Sequence, residues 1–586
     1  MRTVTMRRLL LPAAAFFLCA QAVPAQAPLE PSQMPASTTF YFVWRGQPSA
    51  ELRKSNSIAA LWDDPGFAPV RSSIANALLK NSEEKSTTEP HLTRQQLDEY
   101  ASLLENPFVL GYLSDPNKKN GFVVSANPSS AKGKPWNGIF LVYDRTGKEA
   151  ILSQAVLSLR ANEKEVPQIS QVTVAGIAAL KVQRKSGTTY WVEHDKYAIS
   201  ANETAVLEEI LNRLGGKSVS PDTLADSAAY KEAQAVLGKG QLEFFLRVPD
   251  LKGLASGSSA GGFRMSPVVD AMKLDAIHCV AGRVLMEGAQ TRVQAAALGD
   301  PAAGTLFDIW DQGATAPPAM KYVPADAVSY TNTEINLNAL YELTKRIAAA
   351  IMPPGRQGSV DMLEMMAQAK LGQSLSSALA LFTGEFASLQ TSVSLDKNKQ
   401  VYLVGVRDRD GAVKLLHTLF SDHIASERAE GETTFMKIST GGGTQGAAGA
   451  AQWDFYHVAA TPDYFVISSR LETVREFLAS RSHSTAAGLS AVPGFVSARA
   501  QFPATINGLG YFDFHKLDWP ALKARILEQA KADSTTKRKP GVKGEVTATP
   551  SWLLNLNPEV FARHLHVASS ASWKDAQGLH FDEWIQ

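Results

Sequence analysis

Two histidines one residue apart, His564 and His566, precede a hairpin that carries His580 and Asp582. Residues i and i+2 of a strand share a face. Four such side chains across a hairpin make a conceivable zinc set. The turn near Asp575–Gly578 works against it, because it sets His566 opposite the chain end rather than beside His580. The remaining histidines are scattered, without H-E-x-x-H spacing, so no metal ligands are assigned. Asp63-Asp64-Pro65-Gly66 lacks the spaced acids of a calcium loop and predicts a turn after a helix.

Two glycine motifs fail on context. Gly257-Ser258-Ser259-Ala260-Gly261 fits G-x-S-x-G, but a nucleophile elbow needs a buried strand before it and a helix after it. Here the motif lies in a small-residue loop. Gly441-Gly442-Gly443-Thr444-Gln445-Gly446 fits G-x-G-x-x-G, but it joins the strand Thr433–Ser439 to the strand Trp453–His457. A dinucleotide site needs that turn to open a helix whose N-terminus faces the phosphates. Its counterpart in the first half is the short turn Lys185-Ser186-Gly187, so the motif reads as an enlarged hairpin loop. Lys537-Arg538-Lys539 with Lys543 is a basic run in a Pro/Gly loop, read as a solvated insertion. Trp62, Trp136, Trp191, Trp453, Trp519, Trp552 and Trp573 are assigned to aromatic core. No catalytic residue, cofactor or metal follows from these motifs. A hydrolase would need a site assembled only in the fold, from residues such as His457, His515, Asp513 and a serine.

The elements that would position such groups occur twice. Trp453–Leu478 has two apolar strands about a Pro-Asp turn and then an amphipathic helix; Tyr190–Leu214 repeats the plan. Ile199-Ser200 lies under Ile467-Ser468, and Val206 and Ile210 under Val474 and Leu478. Thr38–Trp44 matches Ala327–Ile335, and Leu103–Phe108 matches Leu381–Phe386. The strands Gly138–Tyr143 and Gln400–Val406 end in Asp144-Arg145-Thr146-Gly147 and Asp408-Arg409-Asp410-Gly411, which suit tight turns. Leu224–Tyr230 matches Leu489–Phe495, Leu242–Leu246 matches Leu509–Asp513, and the hairpin Ile277–Ala297 matches Leu565–Trp584. The offset is 289 residues at Met34/Val323, 264 at Asp144/Asp408 and 287 at Ala289/Ala576, as whole-loop insertions would produce. What matches is apolar positions, turn glycines and turn aspartates, which are architectural. Any function is expected in what differs: Asp454 and His457 in the second copy, Glu193 and His194 in the first, or the loops around them.

Single elements follow from local rules. Thr93-Arg94-Gln95-Gln96 starts a helix with a capping box. A helix beginning near Asn336–Asn338 carries Leu340, Leu343, Ile347 and Ile351 on one face. The fold class expected is α+β, two similar domains from an internal duplication, with mainly antiparallel sheets covered by helices. The organisation is a signal peptide over 1–25, a linker over 26–37, a first domain over 38–299, a second linker over 300–320 and a second domain over 321–586.

The chain has 586 residues, is 45% hydrophobic and carries a net charge of +1, which suits more than one soluble domain and argues against a dedicated nucleic-acid binder. Met1–Arg8 holds three arginines and no acid, Leu9–Ala20 is apolar, and small residues follow, which is the layout of a secretory signal peptide. Cleavage is placed near Ala25, with Ala22 and Ala27 as other sites. Losing Arg2, Arg7 and Arg8 takes the bases from 58 to 55 against 57 acids, a mature charge near −2. Arg7-Arg8 follows Met6, where a twin-arginine signal has Ser or Thr. Cys19 follows the bulky Leu18, which disfavours lipidation. Beyond the signal peptide no run is long and apolar enough for a transmembrane helix. Only Cys279 remains after cleavage, in a strand-like run, and it is read as a buried, inert thiol.

The order of an entry strand after Pro-Ala, Leu381-Phe382-Thr383-Gly384-Glu385-Phe386, YLVGVRDRDGAVKLL at 402–416, DYFVISSRLETVREFL at 463–478 and GLSAVPGFVSA at 488–498 resembles a family of large exported bacterial proteins of uncharacterised function. The resemblance covers most of the mature chain. The first domain departs from it, with Asn106-Pro107 in place of Gly384-Glu385. It carries no catalytic residues over. The function expected is an exported protein of the periplasm or cell envelope, acting as a non-enzymatic binding or scaffold module. Its partner would be an envelope protein, a glycan or a lipid, an apolar ligand being one form, and not nucleic acid. The alternative is the periplasmic hydrolase.

Overall fold

A computed structural model describes residues 27–85, 93–114, 138–153, 168–184, 187–217, 221–250, 259–260, 263–264, 266–301, 306–310, 313–352, 358–391, 399–439, 455–482, 488–535, 554–555 and 557–586. The signal-peptide reading, Cys19, Trp136, Trp453, Asp454, Trp552, the Gly441–Gly446 loop and the basic run at Lys537 lie outside them. The chain forms two compact units. One comprises the described residues within 27–63 and 71–301, and the other those within 306–586 together with the short segment Asp64–Val70.

The first unit is built on the strands β1 (Thr38–Trp44), β2 (Phe108–Leu113), β3 (Ile139–Asp144), β4 (Gln168–Val174), β5 (Ile177–Arg184), β6 (Gly187–His194), β7 (Tyr197–Ala201) and β8 (Leu242–Arg247). A two-residue hairpin, β9 (Ser259–Ala260) and β10 (Phe263–Arg264), precedes the long hairpin β11 (Ile277–Glu287) and β12 (Gln290–Gly299). Apart from the small hairpin, these strands form one sheet in the order β12-β11-β8-β1-β2-β3-β7-β6-β5-β4, antiparallel at each step.

The second unit has β13 (Ser329–Glu334), β14 (Phe382–Gln390), β15 (Gln400–Val406), β16 (Ile424–Glu430), β17 (Thr433–Ser439), β18 (Phe455–Ala460), β19 (Tyr464–Ser468), β20 (Gly508–Asp513), β21 (Val567–Lys574) and β22 (Gly578–Ile585). Their order is β22-β21-β20-β13-β14-β15-β19-β18-β17-β16, again antiparallel at each step. Strand for strand, this is the order of the first unit. The α+β class with antiparallel sheets is therefore observed.

Helices close one face of each sheet. In the first unit Val206, Leu207, Ile210 and Leu211 of Thr204–Leu214, and Tyr230, Ala233 and Leu237 of Ala228–Leu237, share a core with Tyr41, Val43, Phe140, Val142, Ile199 and Phe245. In the second, Val474 and Phe477 of Leu471–Ser482 and Phe495 of Pro493–Arg499 meet Tyr330, Leu389, Leu403, Val466, Leu509 and Tyr511. The strands supply β-branched and aromatic residues at alternate positions, which fits a sheet with one face buried. Each wholly buried side chain of this size contributes about 1.5–3 kcal/mol, so this apolar layer is the main driving force for each unit.

Local signals act as the sequence predicts. Thr93 Oγ1 accepts from Gln96 N while Gln96 Oε1 accepts from Thr93 N, completing the capping box. Asp144 Oδ1 accepts from Thr146 N and Asp408 Oδ1 accepts from Gly411 N, so both turn aspartates hold the chain as it leaves a strand. The two halves differ in sequence at the matched positions Gly384 and Asn106. Gly384 has φ +87° and its Cα lies so close to the Ile335 carbonyl that a Cβ has no room. In the first unit the Asn106 amide instead donates to the carbonyls of Asp144 and Thr146, both at 2.8 Å.

Both segments read as linkers are packed where they are described. Leu29 and Met34 of 26–37 are wholly buried, and the Leu29 carbonyl accepts from Tyr41 Oη. Phe307, Ala319 and Met320 of 300–320 are buried as well. Proline content misled here, because a Pro-rich segment can still insert alternate apolar side chains into a core. The helix Leu337–Ile351 forms as expected, but Leu340 and Ile351 on its apolar stripe are exposed and only Leu343 is buried. The next helix, Gly358–Leu371, leaves Met362, Met365 and Met366 at 51%, 63% and 62% exposure.

Candidate functional site

The residues named for a hydrolase do not converge. His457 lies on β18 and the pair Asp513/His515 at the end of β20. The order β20-β13-β14-β15-β19-β18 puts five inter-strand steps between them, or about 24 Å at ~4.8 Å per step. The serine facing His457, Ser468, is buried and its Oγ donates to the Gln400 carbonyl at 2.8 Å. Burial, helped by Lys437 and opposed by Glu472, holds the His457 imidazole below its usual range, so it is neutral near pH 7. It has the protonation state of a base, but the serine opposite it is engaged by the Gln400 carbonyl. Ser259 of the G-x-S-x-G motif sits on the two-residue strand β9, not at a strand-to-helix elbow.

The zinc set weighed and set aside in the sequence does not assemble among the described residues either. His564 is the last residue of a helix, Pro558–His564, and not part of a strand, because Pro558 at N1 and the Asn557 cap start a helix there. His564 Nε2 bonds Asp64 Oδ2 at 2.9 Å, and Arg563 Nη1 reaches the same oxygen at 2.8 Å. His580 stacks on Trp573 with ring centroids 5.1 Å apart and bonds Asp575 Oδ1 at 2.9 Å. His566 N bonds the Gln586 carbonyl at 2.6 Å, at the chain end as the hairpin turn dictates. Among the described residues no three of His, Cys, Asp or Glu are grouped to hold a metal ion.

Asp64 caps the turn after a helix, with its Oδ1 accepting from Gly66 N at 2.7 Å. The hydrogen bond from His564, then that from Gly66, and the Arg563 charge hold its carboxyl below the usual range. Glu193 pairs with Arg145 at 2.7 Å, and His194 lies 3.5 Å from Asp195, both at a hairpin turn. Cys279 is wholly buried, its Sγ 3.4 Å from the Ala229 carbonyl, and burial, with Glu232 nearby, pushes its thiol up to about 12. Trp519 packs between Phe514 and Phe561, and Trp62 lies under Arg71.

Two buried polar centres were not anticipated. Glu385, 3% exposed, accepts from Ala319 N at 2.9 Å and Asn332 Nδ2 at 2.8 Å on Oε1, and from Tyr464 Oη at 2.6 Å on Oε2. Burial and the Glu385 carboxylate drive the Tyr464 phenol far above its ordinary value, so it remains a donor. In the first unit Arg45 bridges Glu30 at 2.6 Å and Glu243 at 3.0 Å, with Lys239 on Glu30 at 3.2 Å. Burial opposes the ionisation of Glu30, but the Arg45 contact outweighs it and its carboxyl is lowered. A recess lined by Tyr41, Tyr230, Gln234 and Glu243 borders this network; at about 10 Å³ it has the room of one water molecule. Both centres tie separate elements together. Glu385 stood in the sequence as a lone acid in an apolar run, LFTGEF, and that was the available signal.

Another contact brings together two groups that the sequence keeps apart: His515 Nε2 and His566 Nδ1 are 2.8 Å from each other. No helix among the described residues is long and apolar enough to cross a membrane. Comparison with known proteins finds no matching family model, no matching curated protein and no matching solved structure.

Proposed function

We propose that the chain is an exported, non-enzymatic binding or scaffold module of the bacterial periplasm or cell envelope, descended from an internal duplication. The observation that carries the non-enzymatic reading is the separation of His457 from Asp513 and His515 by the width of the intervening sheet. The polar side chains buried elsewhere hold elements together, as Glu385 and Arg45 do. The duplication is supported by the shared order of strands and by paired core positions such as Val206 and Val474. Export rests on the arginine-rich start and apolar run of residues 1–20. A binding role is favoured by Met362, Met365 and Met366, because exposed, flexible thioethers adapt to varied partner surfaces.

Expression with the native leader, followed by osmotic-shock fractionation and N-terminal sequencing, tests export. Release of a chain beginning near Gln26 is expected; a cytoplasmic chain that keeps Met1 overturns it. A panel of ester, amide, glycoside and phosphoester substrates tests the hydrolase alternative. Turnover in the wild type that disappears in His457→Ala or His515→Ala would restore that alternative.

A further inference from the structure

His515 and His566 come from segments fifty-one residues apart. The ends of two neighbouring strands bring them together. Asp513, the last residue of β20, is opposite Val567, the first of β21. Phe514 N donates to the His566 carbonyl at 2.9 Å, and His515 N donates to Asp513 Oδ1 at 3.0 Å. His566 N is held in turn by the Gln586 carbonyl. Both backbones are thus fixed, and the rings meet with planes 23° apart and centroids at 4.7 Å.

We propose that His515 Nε2 and His566 Nδ1 form a two-imidazole site for a divalent first-row transition metal ion, with water or an incoming ligand filling the other positions. Two nitrogens each about 2.0–2.1 Å from one ion stand about 2.9 Å apart at a right angle and about 3.4 Å apart at the tetrahedral angle. The 2.8 Å separation therefore fits neighbouring positions of a square or octahedral ion, which favours Cu²⁺ or Ni²⁺ over Zn²⁺.

The charges around the pair leave it free to act. Lys516 Nζ is occupied by the Ala325 and Ala327 carbonyls and lies 3.5 Å from Asp513 Oδ2. Arg563 and His564 are both engaged by Asp64. No third His, Cys, Asp or Glu among the described residues completes the set. This makes the site an open, exchangeable one rather than a structural metal centre. The imidazoles are at the exposed end of the strands, so an ion reaches them without opening the core. The sequence weighed His566 only with His564, His580 and Asp582 and assigned no ligands; His515 was not considered beside it, because the pairing of β20 with β21 is not visible in the chain order.

The test is calorimetric titration of the full, untagged chain with NiCl₂ at pH 7.5, repeated with ZnCl₂. One Ni²⁺ per chain is expected, bound more tightly than Zn²⁺. His515→Ala, His515→Gln and His566→Ala should each weaken Ni²⁺ binding at least tenfold. His417→Ala, which removes an exposed histidine paired with Glu427, should leave it unchanged. Circular dichroism and the unfolding midpoint show whether each variant is folded. Absence of saturable Ni²⁺ binding overturns the proposal, as does wild-type affinity for Ni²⁺ in both folded His515 variants. A loss of stability in these variants without metal binding by the wild type would make the contact an imidazole–imidazole hydrogen bond only.

Discussion

Single side chains here are governed more by desolvation than by chemistry. Cys279 illustrates it: a thiol pushed up to about 12 is protonated at neutral pH and shielded from reagents. Iodoacetamide should leave Cys279 unmodified in buffer and alkylate it fully in concentrated urea, as mass spectrometry would show; rapid native alkylation would contradict the burial. Glu385 is the opposite case, a buried acid on which three donors depend. Glu385→Ala leaves Ala319 N, Asn332 Nδ2 and Tyr464 Oη without their acceptor and should cost about 3 kcal/mol or more in urea unfolding. Tyr464→Phe removes one bond and should cost about 1 kcal/mol. Equal midpoints for Glu385→Ala and wild type would show that the centre is not structural. Asp64 links stability to pH. Its carboxyl is lowered in the folded state, so its contribution is complete above the ordinary carboxylate range and disappears as pH falls through the lowered value. Asp64→Asn should therefore be less stable than wild type at pH 7, with the gap closing as the pH falls below the ordinary carboxylate range. A gap that widens in acid would reverse the sign assigned to it. The buried thiol was legible from an apolar run of residues. The roles of Glu385 and Asp64 were not, because their partners come from segments 53 to 500 residues away in the sequence.

Among the elements, strands and caps were the most legible parts. Period-two apolar runs and turn aspartates carry their own signal, so the hairpins from Ile277 and from Leu565 and the Thr93 cap emerge where the pattern puts them. The short edge strands β4 and β16 were missed. Both face water on most of their positions, and a strand such as IASERAE has no apolar alternation to read. Helix ends were misjudged at His564 because Pro558 starts a helix only seven residues long, too short for a periodic stripe. The helix Gly358–Leu371 was not read from the sequence, and the exposure of its methionines is a matter of packing. That exposure has a chemical readout. Under dilute peroxide Met362, Met365 and Met366 should oxidise at least tenfold faster than Met34 and Met436, which are buried. Peptide mapping at several times would show it; uniform oxidation would mean that the helix face is covered.

At the level of the molecule, the same strand order recurs in both units, but the units are not simply the two halves of the chain. Asp64–Val70 belongs with Leu306–Gln586. Within that unit Gly66 abuts Val560, Phe67 packs edge-on against Phe561 at 5.6 Å, and Asp64 takes Arg563 and His564. Residues 306–586 made alone would lack this segment. They should melt at a lower temperature than the same unit in the whole chain, and a synthetic peptide of residues 60–75 should raise the midpoint. No response to the peptide would make the segment dispensable. No sequence pattern announces such a crossing, since Pro65-Gly66-Phe67 is an ordinary turn until its partner is known. The segment also sets a clock. Phe67 and Phe561 are 494 positions apart (561 − 67), and synthesis at about 5–20 residues per second separates their emergence by roughly 25–100 s. During that interval a phenylalanine destined for the second unit has no native partner, so a nascent chain carries a long-lived sticky turn. Slow, late consolidation of the second unit is the expected kinetic signature, and a holding chaperone would find its target at residues 64–70.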